Sequence, residues 1–330
     1  MQTKVMPKKV KPKLGKIREG SKNKTKADSN ILTLDEMFDK FMTAKKTEGL
    51  ASRTLDEYYN NYAYLKQFFC NDMTNENVTT EDFQGYIGFM LHDKELAPMT
   101  VNIRIRNMRA FIRYCHKKGW INEPIHEDFK PIKTPEDTLE SFTPDEVMRI
   151  LSVIDDSTYT GFRNKVIIYV LLDTLVRISE LCAMKRRNVN LEKGEIFLEA
   201  METKTRKARI VPITGPTIEL LKEYMEITED FEDEHLFLTY DGHEINHATV
   251  RIDLRDLGRE AGVKKRVSPH TFRHTGALWY IKNGGDPFSL QKTLGHTDMS
   301  MTRKYIQMSN MDVQGQHKKF SPINNIMNVN

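Results

Sequence analysis

The stretch His270-Thr271-Phe272-Arg273-His274 places an imidazole and a guanidinium three residues apart. Ser268-Pro269 before it reads as a helix N-cap followed by Pro at the first helical position, so His270 and Arg273 share one face of a first turn. The free N–H groups of such a turn and the positive end of the helix dipole suit an anion, phosphate being the commonest. Arg adds a planar fork that binds two phosphate oxygens at once. The plainer account of the pair is a surface ion pair. His270 and His274 also stand at i, i+4, a zinc-binding spacing. No HExxH glutamate and no suitably spaced cysteine accompany them, so no metal site is expected.

More residues of the same kind follow and precede this turn. In Leu294-Gly295-His296 the glycine reads as a C-cap that stops a helix and turns the chain. Beyond it comes Tyr305, in Met301-Thr302-Arg303-Lys304-Tyr305; a tyrosine on a short helix is ordinarily half-buried packing. Upstream, Arg177 closes the apolar run Val166 to Leu175 and must find an anion or a carboxylate, because an unpaired buried charge is costly. Glu180, three residues on, is the structural candidate for that partner. Lys204 falls at the tip of an expected hairpin, where solubility alone would explain it.

Taken in order, Arg177-x-x-Glu180, Lys204 followed by Arg209-Ile210-Val211-Pro212, His270-x-x-Arg273, Leu294-Gly295-His296 and Tyr305 resemble the phage-integrase family of tyrosine recombinases. The resemblance runs from Leu32 to about Met308. It implies catalytic roles for Arg177, Lys204, His270, Arg273, His296 and Tyr305. Tyr305 would attack a DNA phosphodiester, expel a 5′-hydroxyl and leave a 3′-phosphotyrosyl bond, which conserves the bond energy, so no ATP is implied; the two arginines would do the work of a divalent metal, so no metal is implied either. Arg177, Arg273 and His296 would hold the non-bridging oxygens, Lys204 would protonate the leaving oxygen, and His270 would assist in deprotonating Tyr305. The implied partners are double-stranded DNA at a specific site and three further copies of the chain, as a homotetramer on paired sites. The sequence departs from the family at Thr174-Leu175-Val176-Arg177, where Leu175 replaces the usual glycine. Lys207 competes with Lys204 for the lysine role. Two other readings stay open: a type IB topoisomerase, with the same chemistry and no defined site, and a DNA-binding regulator that has lost catalysis.

The elements needed to position these groups are legible as helices. Thr33-Leu34-Asp35-Glu36 is a capping box, and Leu34, Met37, Phe38, Phe41 and Met42 repeat on one helical face. A second helix is expected from about Ser52 to Cys70, with Leu55, Tyr58, Tyr59, Tyr62, Leu65 and Phe69 inward. A third follows Thr79, packing Phe83, Ile87 and Met90. The fourth, from about Pro98 to Lys118, buries Val101, Ile105, Met108, Ile112 and Cys115. It also carries Arg104, Arg106, Arg109 and Arg113, read here as contacts to the DNA backbone; the plainer account is a solvated face. These helices make a compact four-helix domain over residues 31–120, which looks like the family's core-binding (SAM-like) domain.

Residues 121–141, broken by Pro124, Pro131 and Pro135, read as a linker. Thr143-Pro144-Asp145-Glu146 then opens an α-rich catalytic domain over 142–308. Gly194–Ala200 and Ala208–Ile213 alternate as two strands of a small antiparallel sheet, and His235–Thr239 is a third candidate. The fold class expected is therefore mainly α with a minor β element. The residues from 309 on, with Phe320, Ile323 and Ile326, suggest either docking on a neighbouring subunit or a frayed terminus.

Composition sets the outer limits. The chain has 330 residues, 39% hydrophobic and 29% charged, with a net charge of +4. Ten Lys/Arg stand against Glu19 and Asp28 in residues 1–28, leaving a net −4 for the rest. That basic, apolar-poor arm is expected to be disordered, and it is suited to nucleic acid or to solubility alone. It stands where larger integrases carry a folded arm-binding domain, which favours a simpler recombinase or a mobile-element integrase. Cys70, Cys115 and Cys182 form no CxxC pair, which fits a reducing cytoplasm. No run approaches the ~20 apolar residues of a membrane span.

Overall fold

The computed structural model describes residues 31–69, 73–134, 139–201, 203, 207–309 and 313–323. The basic arm, Cys70, Lys204 and Ile326 lie outside them. The chain forms two compact units, one ending at Glu136 and the other beginning at Asp137.

The first unit is built from α1 (Leu34–Thr47), α2 (Ser52–Leu65), α3 (Thr80–Gly88) and α4 (Pro98–Lys117). The expected capping box forms, Thr33 and Glu36 closing the start of α1, and Thr79 and Asp82 form a second one at the start of α3. Each satisfies two N–H groups that a helix start leaves without partners. The core gathers Met37, Phe38, Phe41, Leu65, Phe83, Met90, Ile105, Phe111 and Ile112. Phe38 stacks on Tyr62 with ring centroids 3.7 Å apart. The second helix ends at Leu65, short of the expected Cys70, and the turn after it still delivers Phe69 to the core. Tyr59 is 39% exposed rather than inward. Tyr58 and Tyr59 point about 100° apart on a helix, so one core face cannot take both.

In the second unit the helices are α5 (Pro144–Ser152), α6 (Tyr159–Thr174) and α7 (Ile178–Cys182). A three-stranded antiparallel sheet follows, β1 (Val189–Asn190), β2 (Glu195–Leu198) and β3 (Arg209–Pro212), in the order β1-β2-β3. Then come α8 (Gly215–Ile227), α9 (His247–Glu260), α10 (Pro269–Lys282), α11 (Pro287–Leu294), α12 (Ser300–Met308) and α13 (Val313–Phe320). The fold is thus mainly α with a small sheet. His235–Thr239 is not a strand; it makes only isolated bridges from His235 to Lys185 and from Leu238 to Glu244. Leu236, Phe237 and Leu238 are all fully buried, so this segment threads the core instead of alternating in and out.

α6 is the centre of this unit. Val166, Ile167, Ile168, Val170 and Leu171 are buried on several sides of it, as expected of a helix enclosed by others. α10 packs along it so closely that a Cβ at Gly276 would stand 2.5 Å from the Leu172 carbonyl oxygen. That contact fixes the two helices carrying the chemistry-bearing ends against each other.

Candidate active site

Arg177 is delivered by a turn with an unusual backbone. α6 ends at Thr174, and Leu175 takes the left-handed conformation, φ 55° and ψ 29°. Glycine is the usual residue there, because a Cβ costs roughly 1–2 kcal/mol in that region. Leu175 keeps the geometry with its side chain buried among Ala277, Leu278, Ile281, Leu290, Leu294 and Tyr305. The departure from the family's glycine therefore preserves the turn and adds a core side chain.

Arg177 then serves as N-cap of α7, and Glu180 holds it twice. The Arg177 backbone N–H donates to Glu180 Oε2 at 2.8 Å and its Nη1 donates to Oε1 at 3.1 Å. Arg209 from β3 donates to the same carboxylate at 3.0 and 2.7 Å, and to the Thr293 carbonyl at 3.0 Å. Burial alone would raise the Glu180 pKa. The hydrogen bonds and charges of Arg209 and Arg177 overcome this and hold it below the usual carboxylate range.

The turn after α11 carries His296. Gly295 caps the helix with φ 63°, and a Cβ there would stand 3.0 Å from the Arg209 guanidinium. Glycine is thus required both by the backbone and by the arginine lying over it. The carbonyl of Leu294 accepts from Arg177 Nη1 at 3.3 Å and from Arg273 Nη2 at 2.9 Å, so one oxygen ties both arginines together. Arg273 also donates to the Leu175 carbonyl. His296 Nε2 lies 3.3 Å from Arg273 Nη2. A guanidinium can only donate, so Nε2 carries the lone pair and the proton sits on Nδ1. Among the described residues that buried Nδ1 has no partner. Burial, then Arg273 and Arg177, push the His296 pKa down to about 4.

As expected, α10 begins with Ser268 as N-cap, accepting from the Thr271 N–H, and Pro269 in the first turn. His270 is at the surface, its ring 4.2 Å from that of His274. Tyr305 from α12 is 1% exposed, and its hydroxyl lies 2.5 Å from His274 Nδ1. Burial raises the Tyr305 pKa to about 12, although Arg273 and Arg177 pull the other way. His274 was weighed in the sequence only as half of a zinc spacing. The i, i+4 spacing to His270 was visible there; the approach of a tyrosine thirty-one residues later was not.

Arg177, Arg273, His270 and His274 line a groove of about 1430 Å³. Its other wall carries Arg251, Arg255 and Arg259 from α9 and Lys264, Lys265 and Arg266 from the loop before α10. The three α9 arginines repeat at i, i+4, i+8, a period present in the sequence but overlooked. The β2–β3 hairpin has the register Leu198↔Arg209; Lys204 lies outside the described residues, and its alternative Lys207 is exposed. Among the described residues no group of three or more His, Cys, Asp or Glu is placed to hold a metal ion, and no helix is long and apolar enough to cross a membrane.

In the first unit the structure divides the four arginines of α4. Arg104 lies over the Tyr64 ring at 3.8 Å and donates to Asn61 at 3.1 Å, and Arg109 donates to the His126 carbonyl at 2.8 Å. Arg106 and Arg113 are exposed.

The sequence profile of the phage integrase family matches residues 140–311, more than half of the chain. The chain belongs to the phage integrase family. The phage integrase SAM-like domain matches residues 33–131. Tyrosine recombinase XerD of Listeria innocua is 26% identical over 301 residues, covering 88% of this chain and 99% of the relative. XerD of Staphylococcus aureus gives the same identity and coverage. With these relatives the protein is a tyrosine recombinase, a site-specific recombination enzyme. Its fold is that of the Tn1549 transposon integrase in complex with transposon right end DNA, with a TM-score of 0.73 at 19% identity over 88% of this chain and 99% of that one. A lambda integrase dimer bound to a COC′ core site gives 0.70 at 18% identity over 84% and 77%.

Proposed function

We propose that this tyrosine recombinase cuts and rejoins double-stranded DNA at a specific site through a phosphotyrosyl bond at Tyr305. The observation that carries this reading is the shared anchoring of Arg177 and Arg273 on the Leu294 carbonyl, with His296 against Arg273. Two guanidinium groups fixed at one point and lining a cationic groove suit a phosphate whose non-bridging oxygens gain charge as the fifth bond forms. Preorganised donors of this kind contribute about 10²–10³ in rate each. In the forward step the Tyr305 oxygen bonds to phosphorus and the bond to the 5′-oxygen breaks. Lys204 supplies the proton that the 5′-oxygen takes up. Rejoining reverses both, so no ATP is consumed, and Arg177 and Arg273 supply the charge stabilisation that a divalent metal gives in nucleases.

DNA would lie along the groove lined by the α9 arginines, and on the first unit along Arg106 and Arg113, with the basic arm adding phosphate contacts. The solved relatives include lambda integrase as a dimer bound to a core site and as a tetramer bound to a Holliday junction. By analogy this chain would act as a homotetramer on two paired sites, in the cytoplasm or on the nucleoid. The reaction serves integration, excision or resolution of a DNA element.

The test is covalent trapping. A nicked suicide duplex, built on the sequence that the protein itself enriches from randomised DNA, is incubated with the protein in EDTA. An SDS-stable adduct that Tyr305→Phe does not form is the expected result. A protein that protects the site and forms no adduct would be a DNA-binding regulator instead. Relaxation of supercoils without a defined site would make it a topoisomerase.

A further inference from the structure

We propose that His274, through Nδ1, is the catalytic base that receives the Tyr305 proton, with His270 acting on His274 and not on the tyrosine. The proposal rests on the reading of Tyr305 as nucleophile. Tyr305 Oη lies 2.5 Å from His274 Nδ1, and among the described residues this is the hydrogen bond its side chain makes. The rest of the phenol packs against Leu175, Ala277, Leu278, Ile281, Leu290 and Leu294. Those side chains offer the hydroxyl no acceptor.

The surroundings also fix the direction of the bond. Were Nδ1–H the donor, the hydroxyl hydrogen would be left in an apolar cluster without an acceptor, at the full cost of an unmade hydrogen bond. The hydroxyl therefore donates, Nδ1 carries the lone pair, and the imidazole proton sits on Nε2. This is the arrangement a base requires before reaction.

The charged and titratable groups around His274 are His270 and Arg273 on α10, His296 after α11, Tyr305 on α12, and Arg177 at the start of α7. Burial and the charges of His270, Arg273 and His296 lower the His274 pKa to about 4, so the imidazole is neutral in the free protein. A phosphodiester bound between Arg177 and Arg273 brings a negative charge against those cations. The base becomes stronger only when DNA is in place. During attack the Oη proton moves to Nδ1 as the Oη–phosphorus bond forms and the phosphorus–O5′ bond breaks. During rejoining the Oη–phosphorus bond breaks and the same proton returns to Oη. His270 stacks perpendicular to His274, so it shapes the charge and position of the base ring.

The experiment compares single-turnover adduct formation on two suicide duplexes built on the self-selected sequence, one with the natural 5′-oxygen and one with sulfur at the bridging position. A thiolate leaves without protonation, so the sulfur duplex reports activation of the nucleophile alone. His274→Asn keeps an acceptor near the tyrosine but cannot take its proton. The expected loss is about 10²-fold on both duplexes, measured with DNA saturated by protein. The loss shrinks as pH rises and Tyr305 ionises unaided. His270→Ala is expected to lose less than His274→Asn on the sulfur duplex. His274→Ala, with free imidazole added, is expected to regain part of the rate. A His274→Asn protein that forms adduct at the wild-type rate overturns the proposal, as does a loss that the sulfur duplex abolishes or a His270→Ala defect exceeding it. Absence of adduct from the wild type overturns the nucleophile reading itself, a separate result seen before any variant is compared.

Discussion

Arg209 binds Glu180 through both carboxylate oxygens, at 2.7 and 3.0 Å, while Glu180 holds Arg177 through its backbone and its side chain. A strand residue that touches no reacting atom thereby sets an arginine of the candidate site. The same Arg209 binds the Thr293 carbonyl, two residues before Gly295. The arginine turn, the hairpin base and the His296 turn are joined through one buried carboxylate.

Arg209→Ala removes two of the four bonds on a carboxylate with no exposure. Breaking one side of a buried ion pair costs about 3–5 kcal/mol, and thermal unfolding should show a loss of that order. Adduct formation should fall as well, because Arg177 loses its fixed partner. Replacing the scissile phosphate by an uncharged methylphosphonate, which lacks one non-bridging oxygen, should recover part of the rate, since the arginine then has less charge to stabilise. A variant as stable and active as the wild type would remove Arg209 from this role.

The same carboxylate predicts an acid limit. The folded Glu180 pKa is depressed below 4.5, so its contribution to stability is complete above about pH 4.5 and is lost as pH falls through the lower folded value. From this group, unfolding midpoints should hold level from about pH 7 to about pH 4.5 and drop steeply below that in the wild type. Glu180→Gln should be less stable at neutral pH and have a shallower acid slope. Equal slopes would assign the acid sensitivity elsewhere.

Leu175 offers a test of backbone against packing. Leu175→Gly relieves the left-handed conformation but deletes a buried side chain; Leu175→Ala deletes most of the side chain and keeps the strain. Buried Leu→Ala changes cost about 2–5 kcal/mol. The glycine variant should therefore lie between wild type and the alanine variant, above the latter by about 1 kcal/mol. Urea unfolding of the three proteins gives the order. An alanine variant more stable than the glycine one would deny the strain.

On α4, Arg106→Ala and Arg113→Ala should each weaken DNA binding and reduce the salt slope by about one. Arg104→Ala should act on stability instead, because its guanidinium stacks on Tyr64 and bonds Asn61. Binding titrations at several salt concentrations, paired with melting curves, separate the two classes.

Much of this protein is determined locally and could be read from the sequence. The capping boxes at Thr33, Thr79 and Thr143, the helix start at Ser268-Pro269 and the glycine stop at Gly295 depend on neighbours within a few residues. The set Arg177, His270, Arg273, His296 and Tyr305 was legible through its order and spacing, which resemble the family's, while the flanks of any one of them do not single it out. What tertiary structure decided were relations across the chain. It put His274 rather than His270 on Tyr305, bound Glu180 to Arg209, and gave Leu175 a glycine's backbone in exchange for a place in the core. None of these follows from periodicity, because a helix pattern tells which face is apolar and not which distant side chain will meet it. That choice is made when α6, α10, α11 and α12 close on one another, and buried polar groups then take the partners that packing brings within reach.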